Sequence, residues 1–261
     1  MNSVGPNILI TNDDGIFAPG LRTLIKVMRG MGNVVVVAPD QPMSGTGHAI
    51  TVRHPLRLHM IARETAYKEY SCNGTPVDCV KLGEQVVLKS KPDLLVSGIN
   101  HGSNASINVL YSGTMAAVLE SSIGGVPSIG FSLLDYSPDA DFSACEPYVK
   151  LIAGNVLTNG LPEGVCLNVN IPAVSGHEIN GVKVCRQGRS RWIEEYDTRI
   201  DPHKRDYYWL TGFFEKLEEN QDTDQWALEN NYVSVVPVHF DLTAHYALTT
   251  LQQWNFDAEK G

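Results

Sequence analysis

The N-terminal part of the chain alternates short apolar runs with stretches of helical periodicity. Residues 7–11 (NILIT) and 33–40 (NVVVVAPD) are largely β-branched runs, which are typical of strands buried on both faces. Between them, residues 21–32 repeat apolar side chains at helical spacing, with Pro19 just before and glycines at the end. One face of this predicted helix carries Leu21, Leu24, Ile25 and Met28. The pattern predicts a β–α–β unit.

The same alternation continues for most of the chain. Further helices are predicted over residues 75–87, 112–125 and 148–160, and further strands over residues 92–100, 126–133 and 165–172. Strands that alternate with helices predict the α/β class, here a Rossmann-like three-layer fold in which a parallel sheet has helices on both faces. In such sheets ligands bind beyond the carboxyl ends of the strands. We therefore expect the functional site at the polar segments that follow the strands.

The pattern changes after about residue 180. Residues 181–216 are extended in character and rich in aromatic and charged side chains, and residues 222–254 then predict a helix, a strand and a final helix. We predict a Rossmann-like catalytic core over residues 1–180 and a C-terminal extension over residues 181–261. The extension is expected to consist of a β-hairpin, a strand and a helical arm, and to serve oligomerisation rather than to form a free domain.

The composition narrows the classes of function. The chain has 261 residues, of which 43% are hydrophobic, and a net charge of −9. Since it has no block of Lys and Arg, we expect neither a nucleic-acid polymer nor a membrane surface as a partner. No apolar stretch approaches the length of a membrane span, and no signal peptide is recognisable, so we expect a cytoplasmic protein. The five scattered cysteines, without a CxxC pair, fit reduced thiols rather than a zinc cluster.

Polar side chains follow several of the predicted strands. They are Asn12, Asp13 and Asp14 after the first strand, Ser44 in the Gly-rich loop after the second, and Asn100 at the end of the strand over residues 92–100. Two adjacent carboxylates repel each other, and this costs stability unless a positive group holds them. Carboxylate, amide and hydroxyl oxygens are the ligands that Mg²⁺ and Mn²⁺ prefer.

A possible phosphate site lies close behind in the sequence. Ser112, Gly113 and Thr114 begin a predicted helix, and the backbone amides at a helix N-terminus suit a phosphate group. A divalent cation beside a phosphate site is the layout of a phosphoester hydrolase that uses a metal-activated water. The four segments together point to such an enzyme, although each alone is a weak signal.

Each segment also has an ordinary structural interpretation. Asp-Asp-Gly is a common turn sequence, the loop around Ser44 can be a flexible connection, and Ser112 can simply cap a helix. Two related chemistries are disfavoured. The loop after the first strand lacks the glycine pattern of dinucleotide-binding proteins. An amide, Asn12, stands where a haloacid-dehalogenase-type phosphatase has its nucleophilic aspartate.

Six ordered blocks of the chain match a known family. They read ILITNDDGIFAPG, VVAPDQPMSGTGHAIT, GTPVDCVKLG, PDLLVSGINHGSN, YSGTMAAVLES and PVHFDLTAH. These blocks resemble the SurE (survival protein SurE) family and span nearly the whole chain. The resemblance implies a divalent-metal-dependent 5'/3'-nucleotidase, a phosphomonoesterase of nucleoside 5'- and 3'-monophosphates with short polyphosphate as a further candidate substrate. It also implies a C-terminal arm that is exchanged between the subunits of a homodimer or tetramer.

The resemblance also implies roles for individual residues. It assigns one divalent ion per subunit, Mg²⁺ or Mn²⁺, to a set of four ligands: Asp13, Asp14, Ser44 and Asn100. It assigns the phosphate to Ser112, Gly113 and Thr114, with Asn12 in contact with the phosphate or behind the metal ligands. Either Asp13 or Asp14 would then act as the catalytic base.

The roles of two histidines and of an Asp–His pair near the C-terminus are left open. His48 and His101 depart from the family pattern; His48 could alter contacts to phosphate or base, and His101 could shuttle a proton or be a mere neighbour of Asn100. Asp241 and His245 lie four residues apart and could hold the arm in place. The alternatives to an enzyme are a receiver-like, Mg²⁺-binding signalling module and a non-catalytic oligomer. A receiver requires an aspartate where this chain has Asn100.

Overall fold

The computed structural model describes residues 5–256, which contain one large sheet and a separate hairpin. The strands are β1 (Asn7–Thr11), β2 (Asn33–Pro39), β3 (Leu58–Glu64), β4 (Tyr67–Cys72), β5 (Leu94–His101), β6 (Ser128–Leu133), β7 (Val165–Ile171), β8 (Val182–Val184), β9 (Ser190–Ile200), β10 (Asp206–Lys216) and β11 (Val233–His239). Nine of them form a sheet in the order β3-β4-β2-β1-β5-β6-β7-β11-β8, and β9 pairs only with β10. The six central strands are parallel, whereas β3 and β11 run antiparallel to β4 and β7.

Helices cover both faces of this sheet. They are α1 (Pro19–Arg29), α2 (Pro76–Leu82), α3 (Gly113–Ile123), α4 (Glu146–Asn159) and α5 (Asp224–Glu229), whereas α6 (Leu248–Leu251) is a short helix without buried residues in the C-terminal segment. Ile8 and Ile10 of β1 pack in the same apolar core as α1 and α4, and Leu9 packs in a second core with α2 and α3. A strand buried on both faces needs no polar position, which explains the continuous apolar run. The predicted three-layer α/β fold is confirmed.

Two helices end earlier than the periodicity predicts. The first stops at Arg29, because Gly30 follows it and its amide closes the last turn on carbonyl oxygens within the helix. The second stops as an α-helix at Leu82 and continues as a π-helical turn over Gly83–Leu88. A Cβ atom at residue 83 would lie 2.7 Å from a methyl group of Leu9. Glycine therefore allows this turn to pack directly against β1.

The residues after 180 form the predicted hairpin, but they also extend the sheet. β9 and β10 pair antiparallel over their full length, while β8 and β11 join the large sheet beyond β7. The division of the chain at residue 180 therefore stays a prediction about domains. The final helix, α6, covers Leu248–Leu251, and residues 257–261 of the predicted arm lie outside the described residues.

The order of the strands creates a switch point between β1 and β5, where ligands are expected. β1 lies between β2 and β5, so the chain leaves β1 toward one side of the sheet while β5 begins the other side. The crevice beyond the carboxyl ends of two such strands is the usual ligand site of an open α/β sheet. Within residues 5–256, no helix is long and apolar enough to cross a membrane.

Candidate active site

Asp13 and Asn100 come together at the switch point between β1 and β5. Asp13 lies two residues after the end of β1, and Asn100 is the next-to-last residue of β5. The side chain of Thr114, at the start of α3, donates a hydrogen bond to Oδ1 of Asp13. The segment after β1 and the start of α3 therefore meet at the carboxylate of Asp13, and Asn100 of β5 lines a cavity together with Asp13.

Gly113 is what allows Asp13 to approach α3. A Cβ atom at position 113 would lie 2.8 Å from Cβ and 2.9 Å from Oδ2 of Asp13. Any larger residue would therefore push the carboxylate away from the helix. Ser112 precedes this glycine and caps the helix, since its Oγ accepts the amide hydrogen of Met115 at 3.0 Å.

Both aspartates are held where a negative charge is costly. Burial raises the pKa of Asp13, and bonds from Thr114 and from backbone groups at the start of α3 only partly oppose this. Burial, followed by the charge of Asp13, raises the pKa of Asp14 to about 6. The amide of His101 donates to Oδ2 of Asp14 at 3.2 Å and works against this rise. Two neighbouring carboxylates with raised pKa values are a site that a cation would stabilise.

The neighbouring amides offer oxygen atoms to the same region. The amide nitrogen of Asn100 donates to the carbonyl oxygens of His101 at 3.1 Å and Gly102 at 2.9 Å, so its orientation is fixed and Oδ1 faces away from them. The side-chain nitrogen of Asn12 donates to the carbonyl oxygen of Gly15. The side-chain Oδ1 of Asn12 is buried without a hydrogen-bond partner in the described structure. An oxygen acceptor buried in this way requires a donor or a cation.

These residues fit a hard divalent cation. The donors are two carboxylates, an amide oxygen and a hydroxyl, all of them oxygen ligands. No group of three or more His, Cys, Asp or Glu side chains suited to a metal occurs among residues 5–256. Two carboxylates, one amide oxygen and one hydroxyl leave room for water in the coordination shell, which suits Mg²⁺ because this ion usually retains several waters.

One cavity brings together five of the ten predicted site residues. It has a volume of about 590 Å³, a size common for small-molecule sites. The predicted residues in its wall are Asp13, Ser44, Asn100, His101 and Ser112. Asp14 is half-buried beside it, whereas Asn12, Gly113 and Thr114 are buried behind Asp13. The four predicted metal ligands therefore lie at or beside one cavity, and only Ser112 of the predicted phosphate set lines it.

The two histidines lie in different surroundings. The ring of His101 packs edge-on against Phe142, with 4.8 Å between ring centroids, and lines the cavity. His48 does not line it: its Nε2 lies 2.9 Å from Oε2 of Glu120, on the exposed side of α3. Because Lys81 also pairs with Glu120, His48 belongs to a surface ion-pair cluster. It lines a second cavity of about 560 Å³ together with Ser112, and its predicted contact with phosphate or base stays a prediction.

The opposite wall of the cavity was not anticipated from the sequence. It is formed by Tyr111, Tyr136 and the hairpin residues Trp192, Glu194, Leu210, Thr211 and Gly212. The sequence predicts the segment over residues 181–216 as an aromatic and charged β-hairpin that serves oligomerisation, not as part of the site. The period-2 alternation of β9 was a usable signal for its two faces, but nothing in the sequence tells which face meets the core.

A network of buried amides supports the loop that follows β5. The amide hydrogen of Asn104 is accepted by Oδ1 of Asn170 at 2.8 Å, and the side chain of Asn104 donates to Ser132 at 2.9 Å. Asn168 donates to the carbonyl oxygen of Asn104 at 2.8 Å and accepts from Asn170 at 3.0 Å. The loop carrying Gly102, Ser103 and Asn104 is thereby fixed on β6 and β7 at the bottom of the cavity.

The fold and the site define a class: a Rossmann-like α/β protein with paired carboxylates and amide oxygens at its switch point. The family model "Survival protein SurE" matches residues 8–194, well over half of the chain. The chain belongs to the SurE family. The resemblance seen in the six sequence blocks is therefore confirmed.

Individual relatives extend this likeness over the full length. The chain is 58% identical to "5'-nucleotidase SurE" of Christiangramia forsetii, over 98% of this chain and 100% of that protein. It is 57% identical to the protein of the same name from Flavobacterium psychrophilum, over 97% and 98% of the two chains. The crystal structure of the SurE protein from Aquifex aeolicus is similar with a TM-score of 0.81 at 40% identity, covering 95% of this chain and 98% of that one.

Proposed function

We propose that this protein is a divalent-metal-dependent phosphomonoesterase that hydrolyses nucleoside 5'- and 3'-monophosphates to nucleoside and phosphate. The observation that carries the proposal is the convergence of Asp13, Asp14 and Asn100 on a cavity large enough for a nucleotide. Relatives that match nearly the whole chain bear the name 5'-nucleotidase, which supports the same reaction class. Short polyphosphate is a secondary candidate substrate, because its terminal phosphoryl group is also attached to the rest of the molecule through a single bridging oxygen.

The proposed ligands of the cation are Asp13, Asp14, Ser44 and Asn100. One ion per subunit, Mg²⁺ or Mn²⁺, would neutralise charge on the phosphoryl group and lower the pKa of a water molecule. Asp13 is locked by Thr114 and by the start of α3, so its carboxylate keeps one orientation throughout turnover. Asp14 is less buried than Asp13, but only Asp13 lines the cavity, so both carboxylates are candidates to accept the proton of the attacking water.

The proposed phosphate contacts lie at the N-terminus of α3. Ser112 lines the cavity, and Gly113 and Thr114 bring the positive end of the helix dipole to this point. Asn12 is proposed to act from behind Asp13, and its side-chain Oδ1 is buried without a hydrogen-bond partner in the described structure. In the transition state, these groups stabilise the charge that develops on the transferred phosphoryl oxygens.

The protein is further proposed to act as a homodimer or tetramer in the cytoplasm. Large apolar side chains are exposed on the hairpin and on the C-terminal segment, including Trp209 at 59%, Leu242 at 86% and Tyr246 at 91% exposure. Contiguous apolar surface of this kind is usually covered by another chain. His245 pairs with Asp241 at 2.7 Å, which would fix the start of the proposed exchanged arm.

The experiment is phosphate release from a panel of nucleoside 5'- and 3'-monophosphates, with an aryl phosphate and tripolyphosphate alongside. Each substrate is assayed with Mg²⁺, with Mn²⁺ and after chelation. We expect release that requires a metal and that is faster with nucleotides than with the aryl phosphate. Folded protein that releases no phosphate with either metal would contradict the proposal and favour a binding module or a non-catalytic oligomer.

A further inference from the structure

Trp192 is a prepositioned aromatic side chain in the wall of the active-site cavity. Its indole Nε1 donates to Oδ1 of Asn108 at 2.9 Å, and its ring meets Phe214 edge-on, with centroids 5.5 Å apart. Asn108 is itself held, because its amide nitrogen donates to the carbonyl oxygen of Ser103 at 3.2 Å. Even so, Trp192 is 42% exposed, so part of this fixed ring is open to the cavity.

The pairing of the hairpin places four of its five cavity-lining residues, all except Thr211, on one face. Trp192 lies directly opposite Phe214, and Glu194 directly opposite Gly212, so all four share one face of the two-stranded sheet. Trp209 pairs with Asp197 and has the other parity, which places it on the opposite face. It does not line the cavity although it is 59% exposed. The hairpin thus offers two exposed tryptophans, of which only Trp192 faces the site.

We propose that Trp192 forms a nucleobase subsite, on which the base of the substrate stacks while its phosphate lies at Asp13 and Asn100. This inference rests on the proposed nucleotidase function and adds a residue that selects nucleotides over other phosphomonoesters. A base is planar and apolar on its faces, and aromatic rings are the side chains that proteins use to bind such faces. Asp13 and Asn100 line the same cavity as this indole, together with Glu194 of the hairpin, so the phosphate and the base of one nucleotide would lie in one cavity.

The subsite has a consequence for the choice of base. Stacking tolerates any base because every base has a π-face, but the larger rings of a purine cover more of the indole. Purine nucleotides are therefore expected to gain more from Trp192 than pyrimidine nucleotides. Tyr136, whose hydroxyl accepts the amide hydrogen of Ser103 at 3.2 Å, lines the same wall and adds to its apolar surface.

The test compares AMP with ribose 5-phosphate, which carries the same sugar phosphate without a base. The values of kcat/KM for both are measured with the wild-type protein and with Trp192→Ala, Trp192→Phe and Trp209→Ala. Trp209→Ala is the matched control, because it removes an exposed indole from the other face of the same hairpin. Thermal unfolding of each variant reports on folding, and Trp192→Phe keeps an aromatic ring if the alanine variant proves unstable.

We expect Trp192→Ala to lower the AMP-to-ribose-5-phosphate ratio of kcat/KM roughly tenfold or more, mainly through KM. Trp192→Phe should keep most of the ratio, and Trp209→Ala should keep all of it. The loss should be larger for AMP than for UMP. An unchanged ratio in Trp192→Ala, or an equal fall in Trp209→Ala, would overturn the subsite.

A second measurement separates this inference from the proposed function. AMP and ribose 5-phosphate are titrated calorimetrically into the same four proteins. If the wild-type protein hydrolyses neither compound, the proposed function fails. Weaker AMP binding by Trp192→Ala than by Trp209→Ala would then still support the base subsite, and equal binding by both variants would refute it.

Discussion

The two walls of the cavity are built in opposite ways. At the strand ends, Asp13 is 3% exposed, and Thr114, which bonds to it, is fully buried. On the hairpin, Trp192 and Leu210 are 42% and 63% exposed and extend from a sheet of only two strands. The first wall holds Asp13 in one geometry, and the second is an exposed surface that is apolar at Trp192 and Leu210 and polar at Glu194 and Thr211. The contrast indicates that the chemistry is fixed by the core and that the choice of substrate is left to the hairpin.

The largest effect is expected from a change in the buried wall. Asp13→Asn keeps the shape of the side chain but removes the charge, so phosphate release from AMP with Mn²⁺ should fall roughly 10³-fold or more. Circular dichroism should show an unchanged fold. Retention of more than about a tenth of the activity would break the assignment of Asp13 to the metal site.

The second change tests how far the buried wall depends on its support. Asn170→Ala removes an acceptor from Asn104 and a donor from Asn168, and all three side chains are buried. Loss of partners in such a network should lower the free energy of unfolding by roughly 3 kcal/mol in urea titrations.

The control for this change lies on the hairpin. Arg199→Ala breaks an exposed pair with Asp197, whose atoms are 2.8 Å apart, and should change the free energy of unfolding by less than about 0.5 kcal/mol. If the free energy of unfolding fell by similar amounts in the two variants, the proposed difference in rigidity between the two walls would be refuted.

The smallest of the three effects concerns proton binding by the metal-free protein. The pKa of Asp14 is raised to about 6 by burial and by the charge of Asp13, so the fold favours the protonated side chain. This contribution to stability is present below the unfolded pKa near 4 and is lost as the pH rises through about 6. In chelator, the stability of wild type relative to Asp14→Asn should therefore increase as the pH falls, by at most roughly 3 kcal/mol.

Metal provides the control for this pH effect. A bound cation favours the ionised carboxylate, so Mn²⁺ should stabilise the wild-type protein near neutral pH and should stabilise Asp14→Asn much less. A pH dependence that is the same in wild type and Asp14→Asn would show that Asp14 does not titrate as its surroundings require.

The sequence by itself predicted the alternation of strands and helices around the site and the position of the polar strand ends, although it left β4 unassigned. Buried parallel strands require continuous apolar runs, and these runs end abruptly at Asn12, Asp13 and Asp14. Because the carboxyl ends of such strands meet at one edge, the cluster with Ser44 and Asn100 followed from local patterns and from the family resemblance. Local signals of this kind depend on neighbours along the chain, and the folded protein preserves them.

Only the tertiary structure decided what surrounds those acids. Thr114 bonds to Asp13 from 101 positions away, and Trp192 contacts Asn108 across 84 positions. His48 turns to Glu120 instead of the cavity, and β11 returns to the large sheet after the hairpin. The physical reason is the same in each case. Periodicity tells which side chains share a face, but the partner of that face depends on packing between distant segments, which no local pattern records.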